Sequence, residues 1–176
     1  MYNAKPSRLP ISRIILIGCL LFWVVFASSC KEDGTNTTTA PPTEKLPTEP
    51  FQISGETYVL ELAYTNTTRQ QGLMFRESLA ADEGMFFAFR YPDVQSFYMK
   101  NCLIDLDIIY LKSDGIIDSI HQMTVPAPGE PLEHYRSNGP VQYAIELAAG
   151  QAGRLNLQPG QKIHLPARVG RMIIEP

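Results

Sequence analysis

The stretch Lys31 to Pro50 (KEDGTNTTTAPPTEKLPTEP) sets the limit on what this 176-residue chain can fold into. It is rich in Thr, Pro and charge and holds only Leu46 as a large hydrophobe. Such a segment cannot bury enough apolar surface to offset the entropy of ordering it, so residues 31–50 are expected to be a disordered tether. A folded unit then begins near Phe51. From Phe51 to Leu165 there is enough chain for one compact core and too little for two. Residues 166–176 are left as a C-terminal tail.

What precedes the tether has the order of a secretory signal. Lys5, Arg8 and Arg13 stand without any acidic residue ahead of the apolar run Ile14 to Phe26. That run is shorter than the ~20 apolar residues a helix needs to cross a bilayer, which makes an uncleaved anchor the weaker alternative. Ala27, Ser28 and Ser29 lead into Cys30, which resembles a lipobox with residues 1–30 as a lipoprotein signal peptide and Cys30 as the lipid-bearing residue. Ala27 replaces the commoner Leu, so an ordinary signal-peptidase cut without lipid is the other reading. Lys31, Glu32 and Asp33 resemble the signal that sends some Bacteroidetes lipoproteins to the outer face of the outer membrane; a plain solvated charge cluster is the alternative. The expected location is the bacterial cell envelope, as an outer membrane lipoprotein held through Cys30.

Charge narrows the partners. The chain has 15 Lys plus Arg and 18 Asp plus Glu, and removing residues 1–30 takes away three bases and no acids, so the mature charge is 12 − 18 = −6. With no basic stripe to meet phosphates, nucleic acid is not expected as a partner. Of the three cysteines, Cys19 leaves with the signal and Cys30 takes lipid. Cys102 is then alone, and a lone thiol is most often a small buried hydrophobe.

The remainder reads as short strands. Thr57 to Ala63 alternates, with Tyr58, Leu60 and Leu62 on one side and Glu61 on the other. Thr65 can cap a short helix with its body at Thr68 to Phe75 and Gly72 as a helix-ending point. Gly84 to Phe89 is a buried-strand run closed by Tyr91-Pro92, and Ser96 to Met99 is a shorter one. Leu106 to Leu111 and Ile116 to Met123 flank the turn signal Lys112-Ser113-Asp114-Gly115, so residues 106–123 predict a β-hairpin. Val125 to Pro140 predicts a long surface loop, Tyr143 to Leu147 a strand, Gly150 to Leu157 a short helix or turn, and Lys162 to Leu165 a last strand. The fold class is therefore mostly β, a small barrel or sandwich of about seven short strands with one or two short helices.

Several separated motifs resemble one bacterial and archaeal family, the domain of unknown function 192, over about Phe51 to Leu165. They are Gly72-Leu73-Met74 with Arg76, Gly84-Met85 with Phe87, Phe97, Met99 to Asn101, Leu106-Asp107, Glu146-Leu147 with Ala149-Gly150, and Gly160. Cys102 and Asp105 depart from the Thr and Pro typical of the third motif. The resemblance implies a compact, mostly β domain, often exported or lipid-anchored, with no established reaction.

No catalytic or cofactor motif is present: no Gly-x-Ser-x-Gly, no His-Glu-x-x-His, no phosphate-cradling loop and no Cys-x-x-Cys. No cofactor or resident metal is expected, and His121, His134 and His164 are scattered. The polar residues that the family pattern singles out are Arg76, Asn101, Asp107 and Glu146. They predict either a buried Arg-carboxylate pair with Asn101 tying the corner, or a ligand-binding cleft in which Arg76 holds an anionic or sugar ligand. Two other readings stand: a small hydrolase-like enzyme with Asp107 and Glu146 as acid and base, and a Cu(I)-handling protein using Met74, Met85, Met99 and Cys102. For the pocket and ion-pair readings, the corner Phe97 to Asp107 and the strand end at Glu146 are expected to meet, with Arg76 beside Asp107 or Glu146.

Overall fold

The computed structural model describes residues 46–172. The expectations for the signal, for Cys30, for the tether up to residue 45 and for residues 173–176 lie outside the described residues.

Strands β1 (Thr48–Ile53) and β2 (Glu56–Ala63) pair antiparallel across a two-residue turn, Ser54-Gly55, in which both residues take positive φ. That geometry matches the twist of the flanking strands. Among the described residues the first strand thus starts at Thr48, three residues earlier than the composition suggests. Pro50 is tolerated because β1 is an edge strand whose outer side is met only by a single bridge at Gln52, and Leu46, the segment's lone large hydrophobe, packs against the core.

A right-sized crossover follows. Thr65 caps α1 (Asn66–Gln71): its hydroxyl accepts from the Thr68 N–H at 3.1 Å, and the Thr68 hydroxyl accepts from the Thr65 N–H at 3.0 Å. The helix stops at Gln71, earlier than predicted, because Gly72 turns the chain at φ 48° and Leu73 drops into the core. Strand β3 (Glu83–Asp93) then runs parallel to β2 and continues past Tyr91-Pro92 as an exposed extension.

Strand β4 (Ser96–Phe97) is shorter than expected and pairs with β7 (Tyr135–Arg136), a two-residue strand inside the predicted long loop. Between them, β5 (Leu106–Leu111) and β6 (Ile117–Met123) form the predicted hairpin. Strand β8 (Val141–Ala148) is followed by α2 (Gln151–Arg154), and α3 (Val169–Met172) closes the described chain. The main sheet has the order β1-β2-β3-β8-β5-β6, beside the two-stranded sheet β4-β7.

The fold is mostly β, as expected, but no continuous ladder closes the main sheet into a barrel. Lys162 to Leu165 is not a full strand. Instead Lys162 makes one isolated bridge to Ile116 beside β6, and His164 makes one to Gln52 of β1, so residues 162–164 span the gap between the two sheet edges. The result is barrel-like.

Both faces of the sheet are covered. Phe51, Leu60, Phe86, Ile109, Ile145 and Leu147 fill the concave side with Ile163 and Val169, whereas Met85, Phe87, Leu106, Ile108, Tyr110 and Ala144 lie on the other under Leu73 and Met99. Each large apolar side chain fully buried contributes roughly 1.5–3 kcal/mol. Burial at every position of β5 explains why its sequence, LDIIYL, shows no polar alternation.

Candidate functional site

Strand register places one row of side chains across the second face. Glu61 of β2 is level with Met85 of β3, Met85 with Glu146 of β8, Glu146 with Ile108 of β5, and Ile108 with His121 of β6. Since side chains alternate along each strand, these five share a face with the second core. Glu146 sits in the middle, beneath α1 and the segment leading out of β4.

There it lines a cleft of about 260 Å³. One wall is aromatic: Phe87, Phe89 and Phe97 meet edge to face, with Phe97 at 4.9 Å from Phe87 and 6.4 Å from Phe89, and Tyr98 stands at the rim; the other is polar, with Arg69 and Gln71 of α1 and Gln95. Glu146 is only 5% exposed, and its Oε2 has no hydrogen-bond partner among the described residues. Burial pushes its carboxyl up to about 8, so near neutral pH it is mostly the protonated acid. The same burial, with Glu146 adding to it, pushes the Cys102 thiol up to about 12 and raises the Tyr110 phenol. Buried polar atoms are nearly always paired, which makes the Oε2 atom of Glu146 an exception that calls for a partner. His121 Nε2 is also buried without one, at the far side of Ile108 between Tyr110 and Tyr135.

The other candidates lie elsewhere. Arg76 pairs with Glu61 at 2.6 Å, not with Asp107 or Glu146. Asp107 is level with Leu147, one position out of phase with Glu146, and so faces the concave core, where its Oδ2 accepts from the Ala152 N–H at 2.8 Å and pins α2. The two carboxylates point to opposite faces of the sheet. An acid-base pair of Asp107 and Glu146 is therefore not assembled, and the hydrolase reading built on it is corrected. Asn101 takes φ 56° in the turn after Met99, a conformation that Asn tolerates better than most residues, and its carbonyl accepts from the Phe75 N–H at 2.8 Å. Its backbone holds the segment with Met74 against the segment with Cys102 at the cleft.

The Arg76–Glu61 pair is part-exposed, at 25% and 22%, which places it near the weak end of ion pairs. A double-mutant cycle of Arg76→Ala and Glu61→Ala by urea denaturation is expected to give a coupling of about 1 kcal/mol or less. A coupling of ~3 kcal/mol or more would mean that the pair is shielded from water.

The sulfur residues also divide. Met74 and Cys102 line the cleft, whereas Met85 and Met99 are core residues at 0% and 3% exposure. The copper reading loses two of its four ligands to packing, and the raised thiol disfavours the thiolate that a soft metal requires. Sequence reasoning missed Phe89 and Tyr98, because an aromatic residue in a strand run reads as core; the placement of Phe87 and Phe89 on one face of β3 was the available signal.

A family profile described as uncharacterised ACR, the domain of unknown function 192, matches residues 50–165. The chain belongs to this family. Two solved structures are similar. A protein of Sinorhizobium meliloti, provisionally described as a transcription regulator, is 36% identical over 69% of this chain and 95% of its own, with a TM-score of 0.60. A protein of unknown function from Novosphingobium aromaticivorans is 33% identical over 72% of this chain and 91% of its own, with a TM-score of 0.63. Among curated proteins, none matches the sequence. Within this member of the family the motif residues now separate by role. Gly72 turns the chain at positive φ, Gly84 makes a close approach to β8, Asn101 and Asp107 hold the backbone, and Glu146 faces the cleft.

Proposed function

We propose that this member of the family is a small-molecule binding or accessory module of the bacterial cell envelope, carried on the outer membrane by lipid on Cys30. The observation that carries the binding reading is Glu146, a buried carboxyl with an unpartnered oxygen in an aromatic-walled cleft. Ligand sites are concave, mostly apolar and fitted with a few polar groups that orient what binds. At about 260 Å³ the space suits a molecule of one ring, such as a monosaccharide or a compound of similar size. An anionic ligand has less support, because the expected cation, Arg76, is engaged with Glu61, the Arg69 guanidinium at the cleft is turned to backbone carbonyls, and the buried polar group of the cleft is itself an acid. The provisional description of the Sinorhizobium protein as a transcription regulator would imply nucleic acid, but a mature charge of −6 without a basic stripe argues against that partner here.

A mixed panel of monosaccharides, alcohols, amines and carboxylates, screened by melting temperature, tests the binding reading, since a ligand of the folded state must raise it. At least one compound is expected to do so, with the rise lost when Phe97→Ala removes a wall of the cleft. The reading fails if no class of compound binds.

The anchoring reading rests on the charged and apolar leader, on Ala27-Ser28-Ser29-Cys30, and on the polar segment after it. Cys30→Ser is expected to block processing at that cysteine and to release any cleaved protein from the membrane fraction. A Cys30→Ser protein that is cleaved normally and still sediments with membranes would rule out lipid on Cys30 as the anchor.

A further inference from the structure

If the cleft is a ligand site, its chemistry narrows the ligand. Its one buried polar group, Glu146, is an acceptor when ionised, and no cation pairs with it among the described residues. Cys102 and Tyr110 are weak acids whose ionisation Glu146 opposes. Along the row, Glu61 lies beyond Met85 and is occupied by Arg76, while His121 lies beyond Ile108. One cation, Arg69 of α1, does line the cleft, but its guanidinium is turned to neutral acceptors and does not hold down the carboxyl of Glu146, whose raised value reflects burial alone. The Arg69 Nη1 donates to the carbonyls of Tyr64 and Ala88, at 2.6 and 2.9 Å, and its Nη2 donates to Asn66 Oδ1.

The wall already shows what it can accept. The Arg69 guanidinium lies 5.5 Å from the centre of the Phe89 ring, a cation seated on an aromatic face. Phe87, Phe97 and Tyr98 present further rings around the same space. An apolar, ring-lined space around a buried carboxyl suits a ligand that is a cation at one end and hydrocarbon at the other, because the carboxylate is the one group there that needs a charged donor.

We propose that the cleft takes a small organic ammonium ion, whose N–H groups donate to Glu146 while its carbon skeleton lies against Phe87, Phe97 and Tyr98. This rests on the reading of the cleft as a binding site and goes beyond it by naming the ligand's charge. The proton balance follows. Without the ammonium the carboxyl is mostly neutral near pH 7, the bound ammonium selects the carboxylate, and the displaced proton leaves to solvent. No bond to the ligand is made or broken.

The test uses the full-length chain in detergent with benzylamine, benzyl alcohol as its neutral match, and glucose, by titration calorimetry in two buffers of different ionisation heat. Benzylamine is expected to bind with release of about one proton below pH ~7, its affinity rising close to tenfold per pH unit and levelling above pH ~8. Benzyl alcohol and glucose are expected to bind more weakly at every pH. Glu146→Gln, with its fold checked by circular dichroism, is expected to lose about 30-fold or more in benzylamine affinity. Should that variant unfold, the pH series on the unaltered protein decides alone. Equal binding of benzylamine and benzyl alcohol, or benzylamine affinity that is flat with pH, overturns the proposal. Glucose binding without benzylamine binding overturns it while leaving the cleft as a ligand site, and silence from all three and from the wider panel overturns both.

Discussion

Glu146→Gln is expected to stabilise the domain progressively as the pH rises, by on the order of 3 to 5 kcal/mol between pH ~4.5 and pH ~8.5. The sign follows from where the proton sits. In the unfolded chain the carboxyl has its ordinary value of 4.5, whereas burial raises it to about 8 in the folded state. Below 4.5 both states hold the proton and folding carries no ionic penalty. Between 4.5 and 8 the unfolded chain releases the proton and the folded chain keeps it, so each pH unit weakens the fold by about 1.4 kcal/mol. Above about 8 the folded carboxyl ionises too and the loss levels off. Gln has nearly the same shape and no charge, so its denaturation midpoint should lack this component. Midpoints of both proteins in urea at the two ends of the range measure it, and parallel pH curves would mean that the Glu146 carboxyl meets water in the folded state.

The second large effect is expected at Gly84. A Cβ built there would press into the carbonyl oxygen of Glu146 on the neighbouring strand and stand 2.8 Å from Leu147 Cδ2 and 2.9 Å from Leu60 Cδ2. A side-chain terminus can turn away; a backbone carbonyl in the middle of a sheet cannot do so without parting β3 from β8. Gly84→Ala is therefore expected to cost about 3 kcal/mol or more, at or beyond the top of the usual range for overpacking. Gly153→Ala in α2 is the control. Nothing lies within 4 Å of its Cβ position and its backbone is ordinary, so it should be neutral or slightly stabilising. Equal thermal midpoints for the two variants would show that β3 and β8 are further apart than described here.

These two residues also show what the sequence could convey. The hairpin of β5 and β6 was legible because a four-residue turn signal stands between two β-branched runs, and the Thr65 cap because its partner Thr68 lies three positions on. Strand β1 was not, since Thr48, Glu49 and Pro50 have the composition of the tether and are recruited only by pairing with β2. The candidate site was legible in its residues but not in its geometry. Asp107 and Glu146 both stand out as acids within apolar runs, yet whether they share a face depends on the register of β5 against β8, and a one-residue shift reverses the answer. Likewise Glu61 has the look of a solvent-facing position opposite Tyr58, Leu60 and Leu62. Only the second layer over that face makes it the partner of Arg76.

The short contacts that residues 162–164 make with β1 and β6 bear on how the protein must mature. Until that segment arrives, the sheet has two bare margins with unsatisfied N–H and C=O groups, and each is a template for another chain. The pieces that cover them are separated by more than a hundred residues from the first strand, so closure comes late in any folding order that builds from local contacts. A chain threaded through a membrane from its N-terminus would present those margins to its neighbours before it could seal them. For such a protein the interval between emergence and sealing, rather than the strength of the finished core, sets its exposure to aggregation.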